Sequence, residues 1–426
     1  MTAPYSLREV SCADDYDPNS MPVDKARALI RQFLTPVSAI ERVHVRQALD
    51  RILAQDIVSP IAVPGHDHSA MDGWAVRFAD LAPDGETELS RIGESFAGKP
   101  HAGAPLGAGQ AVRIFTGGVM PEGADTVVVQ ERATETAQGV RIAARAVSRA
   151  GENRRFAGDD LKAGQVVFRR GQPVGAAELG MIASLGIGEV SVYRRLRVAF
   201  FSTGDELRSI GTPLGAGQIY DSNRYTIYGM LTRLGCETLD MGVVPDVPAE
   251  LEKAFAAAAA NADVVITSGG VSVGEADFVK QLLDQVGEVL FWKIAMKPGR
   301  PLAYGRIGSA HFFGLPGNPV AVMVTFYQFV RDALLVLQGR HEVPTIPTVS
   351  ATLTEPIRKA PGRTEFQRGI VAPAAGGGWE VRTTGNQSSG VLSSMSQANC
   401  FIVLPTDVGN VAAGSVVQVQ MFEGVL

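Results

Sequence analysis

Three glycine-rich turns hold the residues best suited to chemistry: FSTGDEL (201–207), ITSGGVSVGEAD (266–277) and GLPGNPVAV (314–322). Each follows an apolar β-like run. Their small residues let backbone amides close on an anion: Ser202, Thr203 and Gly204 in the first, Ser268, Gly269, Gly270 and Ser272 in the second, Pro316, Gly317 and Asn318 in the third. Any one such turn also serves as a plain strand-to-helix connection, whereas three on one sheet edge predict a phosphate or oxyanion site. Carboxylates recur beside them at Asp205, Glu206, Asp221, Asp246, Glu275 and Asp277. Hard oxygen ligands spread over several loops suit Mg²⁺, which takes one or two carboxylates and fills its shell with phosphate oxygens and water. Glu206 and Asp277 directly flank the turns and are the first candidates. Neither a Walker A loop nor a GxGxxG fingerprint is present, which weighs against ordinary NTPase or dinucleotide chemistry.

The run FWKIAMKPGRP (291–301) adds cations. If it is extended, Lys293 and Lys297 face one side while Trp292, Ile294 and Met296 face the other. Burial of the apolar face then aims both ammonium groups into one space, with Pro298 and Arg300 in the turn behind them, and the pair suits a dianion such as phosphate or molybdate. Two surface lysines are the plainer alternative, and their position just before a PGRP turn favours the site. His66 and His68 have HxH spacing, but no further Cys or His cluster accompanies them. Trp74 and Trp292 lie in apolar strand-like runs and are expected in cores.

These turns need a scaffold. A chain of 426 residues exceeds one hydrophobic core and suggests about three domains. A net charge of −5 gives no general attraction for nucleic acid or an acidic membrane, so an anionic ligand must be met by local cations. Cys12, Cys236 and Cys400 form no CxxC pair, which supports neither a disulfide framework nor structural zinc and fits a reducing compartment. The polar, acidic first twenty residues lack the basic start and apolar core of a signal peptide, so a cytoplasmic protein is expected.

Along the chain, residues 1–20 read as a flexible leader. Residues 21–58 and 159–195 read as a helical or mixed linker domain, with helical spacing over Pro22–Phe33 and Val43–Gln55. Residues 59–158 carry short β-like runs broken by Gly and Pro, the mark of an inserted β-rich domain. From 196 to 342 strands and helices alternate, which predicts a doubly wound, mostly parallel α/β domain with helices over Asn223–Leu234, Pro248–Asn261, from about Ala276 and from Pro319. Residues 343–426 read as strands of a small C-terminal β domain, barrel-like in the resemblance described next.

HSAMDGWAV (68–76), FTGGVMPEGADTVVVQE (115–131), GQIYDSNRY (217–225), KIAMKPGRPLAYG, GRTEFQRG (362–369) and SSGVLSSMSQANCFIVLP (388–405), together with the three turns, occur in the order in which they stand in one family. From about Pro22 to its end the chain resembles the molybdopterin molybdenumtransferases, or MoeA, whose fold is shared by the E domain of gephyrin. The resemblance implies four domains in a homodimer and a reaction in which molybdate enters adenylated molybdopterin with release of AMP, assisted by Mg²⁺. It assigns Asp277, Glu206 and Asp246 as catalytic and Mg²⁺-linked carboxylates, and Lys293 and Lys297 as molybdate and phosphate contacts. Asp72, Thr116, Asp160, Arg368 and Ser389 match other functional positions of the family. Where the family commonly has Asp-Asn-Ser-Ala-Met-Asp-Gly-Tyr, this chain has His68 as the second residue and Trp74 as the last, and Gly118 replaces an alanine after Thr116 and Gly117. The dithiolene brings soft sulfur ligands for the metal, so no protein cysteine cluster is required.

Two rivals remain. The adenylyltransferase of the preceding step resembles residues 196–340 alone, and a gephyrin-like scaffold would use the same fold to bind proteins. That adenylyltransferase and the apo-molybdoenzymes are also the partners the family implies.

Overall fold

The computed structural model describes Leu7, residues 17–270 and 287–422, and Gly424. Most of the expected leader, the helix expected from about Ala276, and Ser272, Glu275 and Asp277 lie outside these residues. The chain divides into two compact units, one of Met1–Ala54, Gly171–Gly175 and Glu189–Leu426, the other of Gln55–Arg170 and Ala176–Gly188.

The larger unit is built on a six-stranded sheet of β1 (Arg197–Thr203), β2 (Glu237–Val244), β3 (Val264–Ser268), β4 (Gly287–Lys293), β5 (Pro301–Ile307) and β6 (Ala310–Leu315), in spatial order β2-β1-β3-β6-β5-β4. The first four in that order run parallel, while β5 and β4 add antiparallel at one edge. Strands covered on both faces read as nearly continuous apolar runs. Val198, Phe200, Val264, Ile266 and Phe313 pack on one side against Ile227 and Leu231 of α1 (Asn223–Arg233). Ala199, Phe201, Val265 and Phe312 pack on the other against Leu251, Phe255 and Ala258 of α2 (Pro248–Asn261). Pro248 opens α2 at a position where its missing N–H has no partner to lose.

Past β6, helical structure runs from Pro319 to Leu337 through a π turn at Phe326–Val330. Among the described residues this is the one helix long and apolar enough to cross a membrane, and 83% of its most apolar window is buried in the core. Next come β7 (Thr348–Leu353), β8 (Thr364–Pro373), β9 (Trp379–Thr383), β10 (Cys400–Leu404) and β11 (Val416–Met421). They close on themselves as β8-β9-β7-β11-β10-β8 around Leu353, Val381, Ile402 and Val419. The mixed α/β sheet and the barrel match the expected fold class.

The helix expected over Val43–Gln55 does not form. Ile40–His44 is a strand and Val45–Ala48 a single 3₁₀ turn. Ile40–His44 pairs antiparallel with Glu189–Tyr193, so a distant ladder overrides the local spacing of apolar residues, and β-branched Ile40 and Val43 suit it. The helix at Val23–Gln32 does form and buries Val23, Ala26 and Ile30.

The smaller unit carries its own six-stranded sheet, in which Gly73–Val76 lies between Thr126–Val129 and Gln110–Ile114. Trp74, Val128 and Val140 fill one side, and Ala75, Val112 and Val127 the other.

Candidate functional site

Parallel register brings the three turns together. Ser202 is level with Ser268, Ser268 with Leu315, and Thr203 with Val244, so the chain leaves all four strands at one edge of the sheet. Ser202, Thr203 and Ser268 are buried there. Gly269 has φ +93°, and a Cβ on it would lie 2.4 Å from the Thr203 carbonyl oxygen, so only glycine permits this turn. Gly204 has φ +151°, a conformation that side chains rarely adopt, and a Cβ there would also push the flexible Glu206 carboxylate aside.

Two chambers open on this edge. The first, about 500 Å³, is lined by Thr203, Gly204, Glu206, Asp221, Asn223, Ser268, Gly269, Gly270, Gly317 and Asn318. The second, about 610 Å³, is lined by Lys293, Lys297, Pro298, Arg300, Pro316, Gly317, Asn318 and Ser389. Gly317 and Asn318 line both and form the wall between them. The first holds the carboxylates of Glu206 and Asp221 among small polar residues, whereas the second is cationic.

The expected alternation around the lysines holds through a change of sheet. β4 ends at Lys293, and Met296–Lys297 pairs instead with Thr364–Glu365 of β8, so the run is not one strand. Trp292, Ile294 and Met296 are nevertheless buried while Lys293 and Lys297 reach the same chamber. The Lys297 ammonium lies 3.5 Å from Glu365 Oε1, and the other Glu365 oxygen accepts from the Gln367 amide at 2.8 Å.

Of the expected carboxylates, Glu206 lines the first chamber, and Asp246 is exposed beyond β2, accepting a hydrogen bond from the Thr203 hydroxyl. Two carboxylates near buried hydroxyls and free backbone amides are a hard-oxygen set that fits Mg²⁺ once phosphate oxygens and water are added. Among the described residues no three His, Cys, Asp or Glu side chains cluster as a metal site by themselves.

Arg368, which matches a functional position of the family, lies inside the fold. It is 1% exposed, and its guanidinium donates to Ser394 Oγ at 3.0 Å and to the carbonyl oxygens of Asn386, Gln387 and Ser388 at 3.2, 3.1 and 3.0 Å. Burial lowers its pKa to about 10. The carbonyls it holds belong to the segment that carries Gln387 and Ser388, two residues that line the second chamber.

Asp72, Thr116 and Asp160 belong to the smaller unit. The Thr116 amide and hydroxyl both donate to Asp72 Oδ1, at 2.7 and 2.8 Å, and these bonds hold the exposed Asp72 carboxyl below its ordinary pKa. Asp160 is exposed, with its backbone amide bonded to the Val63 carbonyl.

Two positions escaped the sequence reading. Asn223 sits in a run of small polar residues that reads as a helix start, and Glu365 meets Lys297 only through a strand pairing distant in sequence. The first carried a weak local signal and the second none.

Family models match most of the chain: "MoeA N-terminal region (domain I and II)" over residues 21–186, "Probable molybdopterin binding domain" over 199–336, and "MoeA C-terminal region (domain IV)" over 350–422. The chain is 46% identical over 404 residues to a molybdopterin molybdenumtransferase of Haemophilus influenzae, covering 95% of this chain and 99% of that one. It is 31% identical to gephyrin of Dictyostelium discoideum over 94% of this chain and 62% of that protein. A crystal structure of a molybdopterin biosynthesis MoeA protein from Pyrococcus horikoshii OT3 superposes with TM-score 0.82 at 28% identity, covering 95% of this chain and 100% of that one.

Proposed function

The chain belongs to the MoeA family of molybdopterin molybdenumtransferases and acts in molybdenum cofactor biosynthesis on molybdopterin and molybdate, and on that premise we propose how its two chambers divide the reaction. The cationic chamber, with Lys293, Lys297 and Arg300, receives the molybdate dianion. The glycine-lined chamber receives the phosphoanhydride of adenylated molybdopterin on the amides of its turns. The observation that supports this reading is the shared wall at Gly317 and Asn318, on either side of which lie the glycine-lined and the cationic chamber.

Glu206, Asp246 and Asp277 would hold Mg²⁺, which when bound neutralises charge on the phosphoanhydride. Lys293 and Lys297 neutralise the oxyanion, and a carboxylate orients the attacking oxygen as AMP leaves. Soft ligands for the metal come from the dithiolene. Burial pushes the thiols of Cys236 and Cys400 up to about 12, so neither supplies a thiolate at neutral pH.

The same reading carries a cytoplasmic homodimer that takes its substrate from a molybdopterin adenylyltransferase and passes its product to apo-molybdoenzymes. Exposed Tyr225 and Tyr228 on α1, with Ile219 and Leu239 nearby in sequence, favour contact with a second copy. A dimer in light scattering that is lost in Tyr228→Asp tests that contact.

The test of function is incubation of the protein with adenylated molybdopterin and Mg²⁺, with and without molybdate, following AMP release and reconstitution of an apo-molybdoenzyme. Molybdate-dependent release, lost in Asp277→Asn or Lys297→Ala, is the expected result. ATP-dependent adenylation of free molybdopterin instead would move the protein to the preceding step.

A further inference from the structure

We propose that Asn223 is a positioning residue that holds the wall between the two chambers, and that its loss uncouples metal insertion from the binding of either reactant. The inference rests on the division of labour proposed above. Asn223 is the first residue of α1, directly after the N-cap Ser222, whose side chain makes no capping bond. The Asn223 Nδ2 donates to Ser268 Oγ at 2.7 Å and to the Gly317 carbonyl oxygen at 2.7 Å. Ser268 Oγ in turn donates to the Pro316 carbonyl oxygen at 3.4 Å.

One amide therefore clamps the SGG turn after β3 to the PGNP turn after β6, and the clamped Gly317 belongs to both chambers. The orientation of the amide is settled chemically, because a carbonyl oxygen only accepts, so Nδ2 and not Oδ1 faces Gly317. That orientation has a cost. Asn223 is 7% exposed and, among the described residues, its Oδ1 is buried without a hydrogen-bond partner, an arrangement that stability alone disfavours. The clamp is kept despite it, and what the clamp fixes is the partition between oxyanion and phosphoanhydride.

The shape of the wall decides whether the two reactants meet in line, while each chamber keeps its own contacts. The effect of removing the clamp accordingly falls on the joint step. Asn223→Asp keeps the size and removes both donors, and Asn223→Ser keeps one shorter donor as a second, milder variant. Three quantities are measured for the full chain: molybdate affinity by calorimetry, AMP affinity by calorimetry, and the rate of molybdate-dependent AMP release per folded molecule.

Expected are both affinities within about threefold of the original and a rate about tenfold or more lower in Asn223→Asp, with Asn223→Ser between. An unchanged rate overturns the inference. So does a fall of both affinities together with thermal stability, or failure of both variants to fold, since each means only a structural role. If the unaltered protein releases no AMP with molybdate, the proposed function itself fails, which is a distinct outcome.

Discussion

Lys297 and Glu365 form an ion pair of unequal exposure: the lysine side chain is 50% exposed toward the cationic chamber, and the glutamate side chain is 6% exposed beneath it. The carboxylate orients the ammonium and also competes with any anion for it. The two substitutions therefore act in opposite directions. Lys297→Ala removes a charge-assisted contact and weakens molybdate binding by about 10- to 100-fold. Glu365→Gln removes the competing charge and tightens binding by about threefold, a small effect because the ammonium is open to water. Calorimetric titration with molybdate checks both, and weaker binding in Glu365→Gln would mean that orientation outweighs competition.

Arg368 meets three carbonyl groups and a hydroxyl, and among the described residues it forms no ion pair with a carboxylate. Arg368→Met removes four hydrogen bonds made by a charged donor from inside the fold, which costs about 3 kcal/mol of folding stability. Arg368→Lys keeps the charge but not the planar fork and recovers only part of that loss. Urea denaturation measures both. Activity per folded molecule also falls, because the loop ending in Ser389 loosens, and unchanged activity in folded Arg368→Met would remove Arg368 from the site altogether.

What could be read in advance depended on how far apart the cooperating residues lie. Pro248–Asn261 announces itself locally, with Pro at its first position and an alanine run behind it, and the helix spans those residues. The parallel sheet was legible for a similar reason, since apolar runs alternate with helices and glycine turns. The strand at Ile40–His44 was misread because its partner, Glu189–Tyr193, lies beyond the whole smaller unit in sequence. The site divides the same way: Lys293 and Lys297 follow from alternation within one run, whereas the Lys297–Glu365 pair and the Asn223 clamp arise only when distant segments are brought together.

Asp72 and Thr116 offer a titration. The amide and hydroxyl of Thr116 bond the ionised carboxylate, so the interaction is fully present above the ordinary aspartate pKa and is lost as pH falls through the lowered one. Thr116→Val deletes the hydroxyl and leaves the amide. The Asp72 pKa, followed by NMR, should rise part of the way back to its ordinary value. No movement would mean that the backbone amide alone sets it.

His311 supplies a stability test. Its ring is 5% exposed, with Nδ1 3.3 Å from the Tyr304 hydroxyl and Nε2 3.5 Å from Arg306. Burial first, and then the Arg306 charge, lower its pKa to about 4, against a smaller opposing pull from Asp263. Between that value and the ordinary one near 6.5, the unfolded chain binds a proton that the folded protein refuses. Stability from this group is therefore complete above the ordinary value and declines as pH falls toward the lowered one, by up to about 3 kcal/mol. Other groups titrate in the same window, so the comparison is with His311→Gln, which lacks the proton site. The stability difference between the original and variant chains should shrink steadily from pH 7 to pH 4 in urea denaturation, and a constant difference would mean that His311 binds its proton equally in the folded and unfolded chains.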